Sequence, residues 1–202
     1  RMTSGSGSGA SLRWVEGDIQ ALGDVGGLAP REGFDAVLCN FGVLHLADPA
    51  AFFREAFRLL RPGGLLGFTV WAPLAESLAF QVPLRAVDVH GNPDVGLPPG
   101  PPFFKYSEAA ACEADLGAAG FESVTHGTFP MAWQLQDPAE FVEVFAHGTA
   151  RTGALITRQS LEARQRVEQE MLEQSAALMA SHPDGIPQPC VVCIAQKPTG
   201  MA

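Results

Sequence analysis

The sequence is short of positive charge, of cysteine and of long apolar runs. Lysine and arginine together number 13 against 22 acidic residues, and the formal net charge is −9. Because an acidic surface repels phosphate backbones, this balance argues against a nucleic-acid partner. No apolar run reaches the roughly 18 residues of a membrane helix, and the first residues contain no apolar signal-peptide core. We therefore expect a soluble, cytoplasmic protein without a membrane partner.

The few cysteines point to packing rather than to chemistry. There are four, Cys39, Cys112, Cys190 and Cys193. The last two lie in "PCVVCIAQ", which is typical of a strand, whereas a redox C-x-x-C pair usually opens a helix. A zinc site would need a second ligand pair at comparable spacing, and the sequence has none. We predict buried cysteines and no metal site.

Length and composition indicate one domain with a sizeable core. The chain has 202 residues, of which 47% are hydrophobic. Residues 1–11 are small and polar, which predicts a flexible linker or a tag remnant, so that the domain covers 12–202. Residues 73–106 are rich in proline and are predicted to be irregular. Long irregular stretches in compact domains are usually lids or binding segments.

A strand–helix–strand unit is the clearest local pattern. Phe34–Cys39 is nearly all apolar, as in a parallel strand buried on both faces. The helix that follows begins after Asp48, which is a good N-cap, and we expect Gly63 and Gly64 to end it. Leu65–Ala72 is the next apolar strand. Short loops between these elements predict a right-handed parallel unit.

Further elements follow the same local rules. A short strand is predicted at Leu12–Val15 and an alternating strand at Phe121–Phe129. Asp137 is expected to cap another helix, and the last strand is "CVVCIAQKP". Two more helices are predicted, one from an N-cap at Ser107 to a stop at Gly120 and one over about residues 159–180.

The order of these pieces resembles a known family. The run "VEGD…FDAVLCNFGVLHLADPAAFFREAFRLLRPGGLLGFTVWA" resembles class I S-adenosylmethionine-dependent methyltransferases of the small-molecule type. The resemblance covers residues 12–72 well and 107–129 moderately, through "L..AGFESV". It implies an α/β fold: a truncated Rossmann-like methyltransferase sheet, mostly parallel, with an antiparallel C-terminal strand and a helical cap. Residues 73–106 and 130–182 would then be insertions on the substrate side.

The resemblance also implies a site for S-adenosylmethionine at the carboxyl ends of the strands. Asp18 would accept a hydrogen bond from the adenine amino group, and the backbone N–H of Ile19 would face the ring. Asn40, Phe41 and Gly42 would line the methionine moiety and the methyl group. A loop cap is the alternative role for Asp18.

An acceptor site is expected beside the cofactor. His45 would face the reaction centre as a substrate contact and a general base, and Trp71 and Phe103 would wall the acceptor pocket. The alternatives are that His45 is only hydrogen-bonded where strand meets helix, and that the two aromatic residues only pack over the sheet end. The sequence does not define the methyl acceptor.

The opening "GSGSG" only imitates the family's glycine loop. Gly5, Gly7 and Gly9 have the G-x-G-x-G spacing, but a cofactor loop needs an apolar strand before it and a helix after it. Only "RMTS" precedes Gly5, and "ASLRWVEGD" follows Gly9 without a helix or an acidic residue for the ribose hydroxyls. We interpret the stretch as a tether, so that the family's first two strands are missing.

This departure leaves three functional hypotheses open. The chain is a methyltransferase of unknown small molecules, a non-catalytic dimeric binding module derived from one, or a fragment of a longer enzyme. In the last case the missing segment has been cut off or is supplied by another chain. Strand Leu12–Val15 would pair beside Phe34–Cys39 or with a second copy. Because an uncovered strand edge invites association, we also expect a homodimer through the exposed sheet edge.

Overall fold

The computed structural model describes residues 6–7, 10–24, 27–28 and 31–200, and its strands form one main sheet and two short pairs. In chain order the strands are β1 (Ser6–Gly7), β2 (Ala10–Ser11), β3 (Phe34–Asn40), β4 (Leu60–Trp71), β5 (Glu122–Phe129), β6 (Ala132–Trp133), β7 (Ile186–Pro187) and β8 (Cys190–Gln196). The helices are α1 (Pro49–Leu59), α2 (Leu78–His90), α3 (Ala109–Ala118), α4 (Pro138–Gly148), α5 (Ala150–Thr157) and α6 (Leu161–Ser181). Short 3₁₀ turns cover Leu22–Asp24, Val43–His45 and Lys105–Ser107.

The main sheet has four strands in the order β3-β4-β8-β5. β3 and β4 are parallel, and β8 is antiparallel to both β4 and β5. Three strands therefore run in one direction and the last strand of the chain runs against them. This confirms the predicted α/β class, with a mixed sheet and a reversed C-terminal strand. The parallel β3–α1–β4 unit is confirmed as well.

Helix α1 begins as predicted but ends earlier. The Asp48 carboxylate accepts a hydrogen bond from the backbone N–H of Ala51 at 3.0 Å, as an N-cap does. The prediction that Gly63 and Gly64 end the helix is wrong, because α1 stops at Leu59 and β4 begins at the next residue. The two glycines lie in an irregularity of the β3–β4 ladder, where β4 has extra unpaired residues before regular pairing begins.

The predicted strand Leu12–Val15 is also wrong. Residues 12–18 carry no regular secondary structure, and Leu12 and Trp14 are 60% and 64% exposed. A strand needs a hydrogen-bonded neighbour, and within the described ranges β3 pairs only with β4. The pairing beside β3 is therefore absent from the described residues, whereas pairing with a second copy stays a prediction.

Residues 73–106 are more regular than predicted, because they contain α2. This helix forms despite Pro83 since it buries one apolar face against the other helices. Ser107 is not the N-cap of α3, which was expected of it. Its hydroxyl donates to the carbonyl oxygen of Phe104 at 2.7 Å, and Glu108 occupies the cap position. The cap at Asp137 and the strand β5 are confirmed.

The buried apolar residues form two cores, one against the main sheet and one among the helices. The first core packs α1 and α3 on one sheet face, with Phe53, Leu66 and Phe68 among its buried residues. The second core joins α2, α4, α5 and α6 and contains Phe80 and Phe145. Cys190 and Cys193 are buried in β8, as predicted.

The other sheet face is largely uncovered. Leu38 of β3 is 80% exposed, Leu65 of β4 is 43% exposed and Ile194 of β8 is 41% exposed. The strand registers align Leu38 with Gly67 and Gly67 with Ile194, so these side chains lie on the same face. No described helix is both long and apolar enough to cross a bilayer.

Candidate functional site

A strained turn follows the carboxyl end of β3. Phe41 has a φ of +50°, a left-handed conformation that is uncommon for a residue with a side chain. Thr69 of the neighbouring strand β4 holds it in place. The Thr69 hydroxyl accepts the Phe41 backbone N–H at 3.0 Å and donates to Asn40 Oδ1 at 2.6 Å. One hydroxyl thus fixes both the backbone of the turn and the direction of the Asn40 amide.

Gly42 continues this turn where a side chain has no room. A Cβ atom there would lie 2.6 Å from Cys39 Sγ. Burial raises the pKa of the Cys39 thiol, so Cys39 is neutral and fills space beneath the turn. Because Gly42 has no side chain, its backbone can turn tightly over the packed Cys39 thiol at the strand end.

His45 stands at the end of the next 3₁₀ turn. Val43 and Leu44 anchor that turn in the first core, while His45 is exposed. Its ring meets Phe103 edge-on at a centroid distance of 5.8 Å. His45 is therefore available to a ligand above the strand ends.

Asp18 and Ile19 lie on a separate segment that reaches the same end of the sheet. The exposed Asp18 carboxylate accepts bonds from the Gln20 backbone N–H at 2.8 Å and from Gln20 Nε2 at 3.2 Å. These bonds, the backbone one first, lower the pKa of Asp18 and keep it ionised. The Gln20 side-chain oxygen Oε1 in turn accepts the Asp48 backbone N–H at 2.7 Å, which ties the segment to the start of α1.

Ring side chains form a continuous cluster between the strand ends and the helical cap, the name used here for α2, α4, α5 and α6. We call Phe41, Trp71, Phe80, Phe103 and Trp133 the aromatic cluster. Its closest pair is Phe41 and Trp71, with ring centroids 4.2 Å apart. The ring centroid of Trp71 lies 5.5 Å from that of Phe80 and 6.3 Å from that of Trp133. The centroids of Phe80 and Phe103 are 5.6 Å apart. The predicted methionine-side residue Phe41 and the predicted acceptor walls are thus in one contact network.

The structure brings together most of the predicted site residues, and it adds three that sequence reasoning missed. Thr69, Phe80 and Trp133 were not predicted. Thr69 is the polar residue in the apolar strand "LLGFTVW", and this exception could have marked it as a site candidate from the sequence. Phe80 and Trp133 lie in segments whose packing depends on distant contacts.

The glycine stretch is only partly described. Ser6–Gly7 pairs with Ala10–Ser11 as a short antiparallel ladder. Gly5 and Gly9 lie outside the described residues, so the tether stays a prediction. No group of three or more histidine, cysteine or acidic side chains suited to a metal ion occurs in the part of the chain that the structure describes.

Comparison with known proteins finds a family match over the N-terminal third of the chain. Residues 3–68 match the profile of a family described as "Methyltransferase domain". The match covers β3, α1 and most of β4, and therefore the turn of Asn40, Phe41 and Gly42. S-adenosylmethionine is the methyl donor of the class I members that the sequence resembles.

Curated relatives that resemble this chain have similar names. The chain is 36% identical over 86 residues to the demethylmenaquinone methyltransferase of Deinococcus radiodurans, covering 43% of this chain and 33% of that protein. It is 31% identical over 118 residues to the ubiquinone biosynthesis O-methyltransferase of Azorhizobium caulinodans, covering 57% and 42% respectively. The chain thus spans less than half the length of these relatives.

Solved structures that match this chain are more distant in sequence. The YcgJ protein of Bacillus subtilis is 16% identical, with a TM-score of 0.48 over 95% of this chain and 73% of that one. A SAM-dependent methyltransferase from Archaeoglobus fulgidus is 15% identical, with a TM-score of 0.42 over 91% and 66%.

Proposed function

We propose that this chain binds S-adenosylmethionine and takes part in methyl transfer to a small ring-bearing acceptor. The observation that carries the proposal is the Thr69-braced turn of Asn40, Phe41 and Gly42, which meets the aromatic cluster at the carboxyl end of β3. Ligands of open α/β sheets bind at this end of the strands. The residues present fit the adenine and methionine portions of the cofactor.

On the cofactor side, five residues take defined roles. Asp18 accepts a hydrogen bond from the adenine amino group through Oδ2, since Oδ1 is occupied by Gln20. The backbone N–H of Ile19 faces the ring. Asn40, Phe41 and Gly42 line the methionine moiety, with the Asn40 amide oriented by Thr69. A bound sulfonium supplies an already activated methyl group, so the protein's task is alignment and exclusion of water.

The acceptor side consists of His45, Trp71 and Phe103. Trp71 and Phe103 offer ring faces and edges on which a planar acceptor can stack. The relatives named for demethylmenaquinone and ubiquinone biosynthesis support an acceptor of the quinol type. His45, which is exposed beside Phe103, would take the proton from the acceptor hydroxyl as the methyl group is transferred.

Thr69→Val tests the cofactor site. The variant keeps the shape of the side chain but removes both hydrogen bonds that hold the turn, so we expect S-adenosylmethionine to bind about tenfold more weakly. Isothermal titration with S-adenosylmethionine and S-adenosylhomocysteine measures this change. Thr125→Val is the matched control, because Thr125 is exposed on β5, away from the turn. Equal affinities in the two variants, or no binding by the unmodified chain at millimolar ligand, would overturn the proposed cofactor site.

We also propose that two copies associate through the β3 edge and the uncovered sheet face. Leu38 on that edge strand is 80% exposed, which favours association because edge strands and apolar faces are both prone to pairing. A second copy would cover Leu38 together with Leu65 and Ile194.

Leu38→Glu is expected to convert this dimer to a monomer, since it places a charge in the centre of the interface. Sedimentation velocity at high micromolar concentration measures the mass. Leu161→Glu, at an exposed leucine on α6, serves as the control and should stay dimeric. A monomeric unmodified chain at that concentration would rule out the homodimer.

A further inference from the structure

Gln188 is a fully buried side chain with no partner for its amide. It is 0% exposed, and neither Nε2 nor Oε1 has a hydrogen-bond partner among the described residues. A carboxamide carries two donor hydrogens and an acceptor oxygen, and native proteins rarely bury such a group unpaired. An unpaired buried amide destabilises the fold, and a ligand that hydrogen-bonds to it would remove this cost.

The backbone around Gln188 joins the two strands that carry the tryptophans of the aromatic cluster. Its N–H donates to the carbonyl oxygen of Met131 at 2.8 Å, just before β6. On the other side, the carbonyl oxygen of Pro189 accepts the N–H of Ala72 at 3.1 Å, just after β4. In the ladders Ile186 lies opposite Trp133 and Cys190 lies opposite Trp71.

Alternation shows which side the amide occupies. Ile186, Gln188 and Cys190 are buried, while Pro187 and Pro189 are only half-buried. In an extended chain alternate residues share a side, so Gln188 lies on the side of Ile186, which packs in the second core. Trp71 on β4 and Trp133 on β6 flank the Gln188 segment, and their ring centroids are 6.3 Å apart.

We propose that the Gln188 amide is the polar recognition group of the acceptor site. It would hydrogen-bond a hydroxyl or carbonyl oxygen of a planar ring that enters between the tryptophans of the aromatic cluster. This proposal rests on the proposed methyltransferase function and deepens it, because it assigns the acceptor class to oxygenated rings and names the residue that selects them. Because Gln188 is fully enclosed, the ring reaches it by moving an indole aside.

Gln188→Met provides the test, with methylhydroquinone and toluene as probes. Methionine has a similar shape but offers no comparable hydrogen bond, so methylhydroquinone should bind about tenfold more weakly, while toluene binds equally to both proteins. Isothermal titration measures the affinities. The near-ultraviolet circular dichroism of the tryptophans should change when methylhydroquinone binds the unmodified chain. The melting temperature of the variant should rise, because an unpaired amide has left the core.

The outcomes separate this proposal from the cofactor proposal. A raised melting temperature with unchanged methylhydroquinone affinity would mean that Gln188 holds an ordered water only, and would overturn the assignment. Failure of the unmodified chain to bind methylhydroquinone would overturn it too. S-adenosylmethionine affinity, measured on the same proteins, should be the same in both. Failure of the unmodified chain to bind S-adenosylmethionine would reject the methyltransferase function, whereas the methylhydroquinone titrations decide the role of Gln188 separately. Gln188→Leu repeats the comparison should the methionine variant fold poorly.

Discussion

Gly33→Ala is expected to destabilise the fold by about 3 kcal/mol or more, which combines backbone strain with overpacking. Gly33 lies immediately before β3 and has a φ of +91°. A Cβ atom there would lie 2.5 Å from the backbone nitrogen of Arg61 and 2.9 Å from the carbonyl carbon of Leu60. These are backbone atoms at the start of β4, so they cannot rotate away, and the β3–β4 pairing has to open instead.

Urea unfolding followed by circular dichroism measures this loss as a lower midpoint. Gly23→Ala is the matched control, because a Cβ at Gly23 meets nothing within 4 Å. We expect that variant to keep the midpoint of the unmodified chain. Similar midpoints for the two alanine variants would show that the close crossing at Gly33 does not determine stability.

Phe80→Ala is expected to lower the free energy of unfolding by about 3–5 kcal/mol, the usual range for truncating a buried phenylalanine. Phe80 is 7% exposed and contacts rings of both the sheet and the cap. Its ring lies 5.5 Å from Trp71 and 5.5 Å from Phe145. Removing it leaves a void at the point where the two cores meet, and the aromatic cluster loses its central member.

This prediction has a stability readout and a binding readout. The free energy of unfolding should fall, and methylhydroquinone affinity should fall with it at temperatures where the variant is still folded. Phe129→Ala is the control, since Phe129 is a 58% exposed phenylalanine on β5 whose truncation leaves no cavity. An equally small effect for both variants would show that Phe80 does not connect the cap to the sheet.

Local signals predicted the elements whose stability is decided locally. Asp48 and Asp137 cap their helices because the cap is a contact with residues two or three positions away. The β3–α1–β4 unit was likewise predictable, since its strands are apolar and its loops are short. The family resemblance placed Asn40, Phe41 and Gly42 at the strand end on the strength of one contiguous run.

The remaining features depend on contacts between distant parts of the chain. Leu12–Val15 has the composition of a strand but finds no strand neighbour among the described residues, and composition does not reveal that. α2 carries a proline and is stabilised by burial against other helices, which local propensity does not measure. Thr69 reaches Phe41 across 28 residues of sequence, and Gln188 acquires its surroundings from β4 and β6.

The position of β8 in the sheet affects how the protein is made. This strand follows every other described element, yet it lies between β4 and β5. Just beyond it, the Lys197 ammonium donates to the carbonyl oxygen of Phe57 across 140 residues of sequence. On the ribosome, β4 and β5 therefore wait with unpaired edges until the strand between them has been synthesised. We therefore expect the sheet to close late in synthesis, with these strand edges open to aggregation until then.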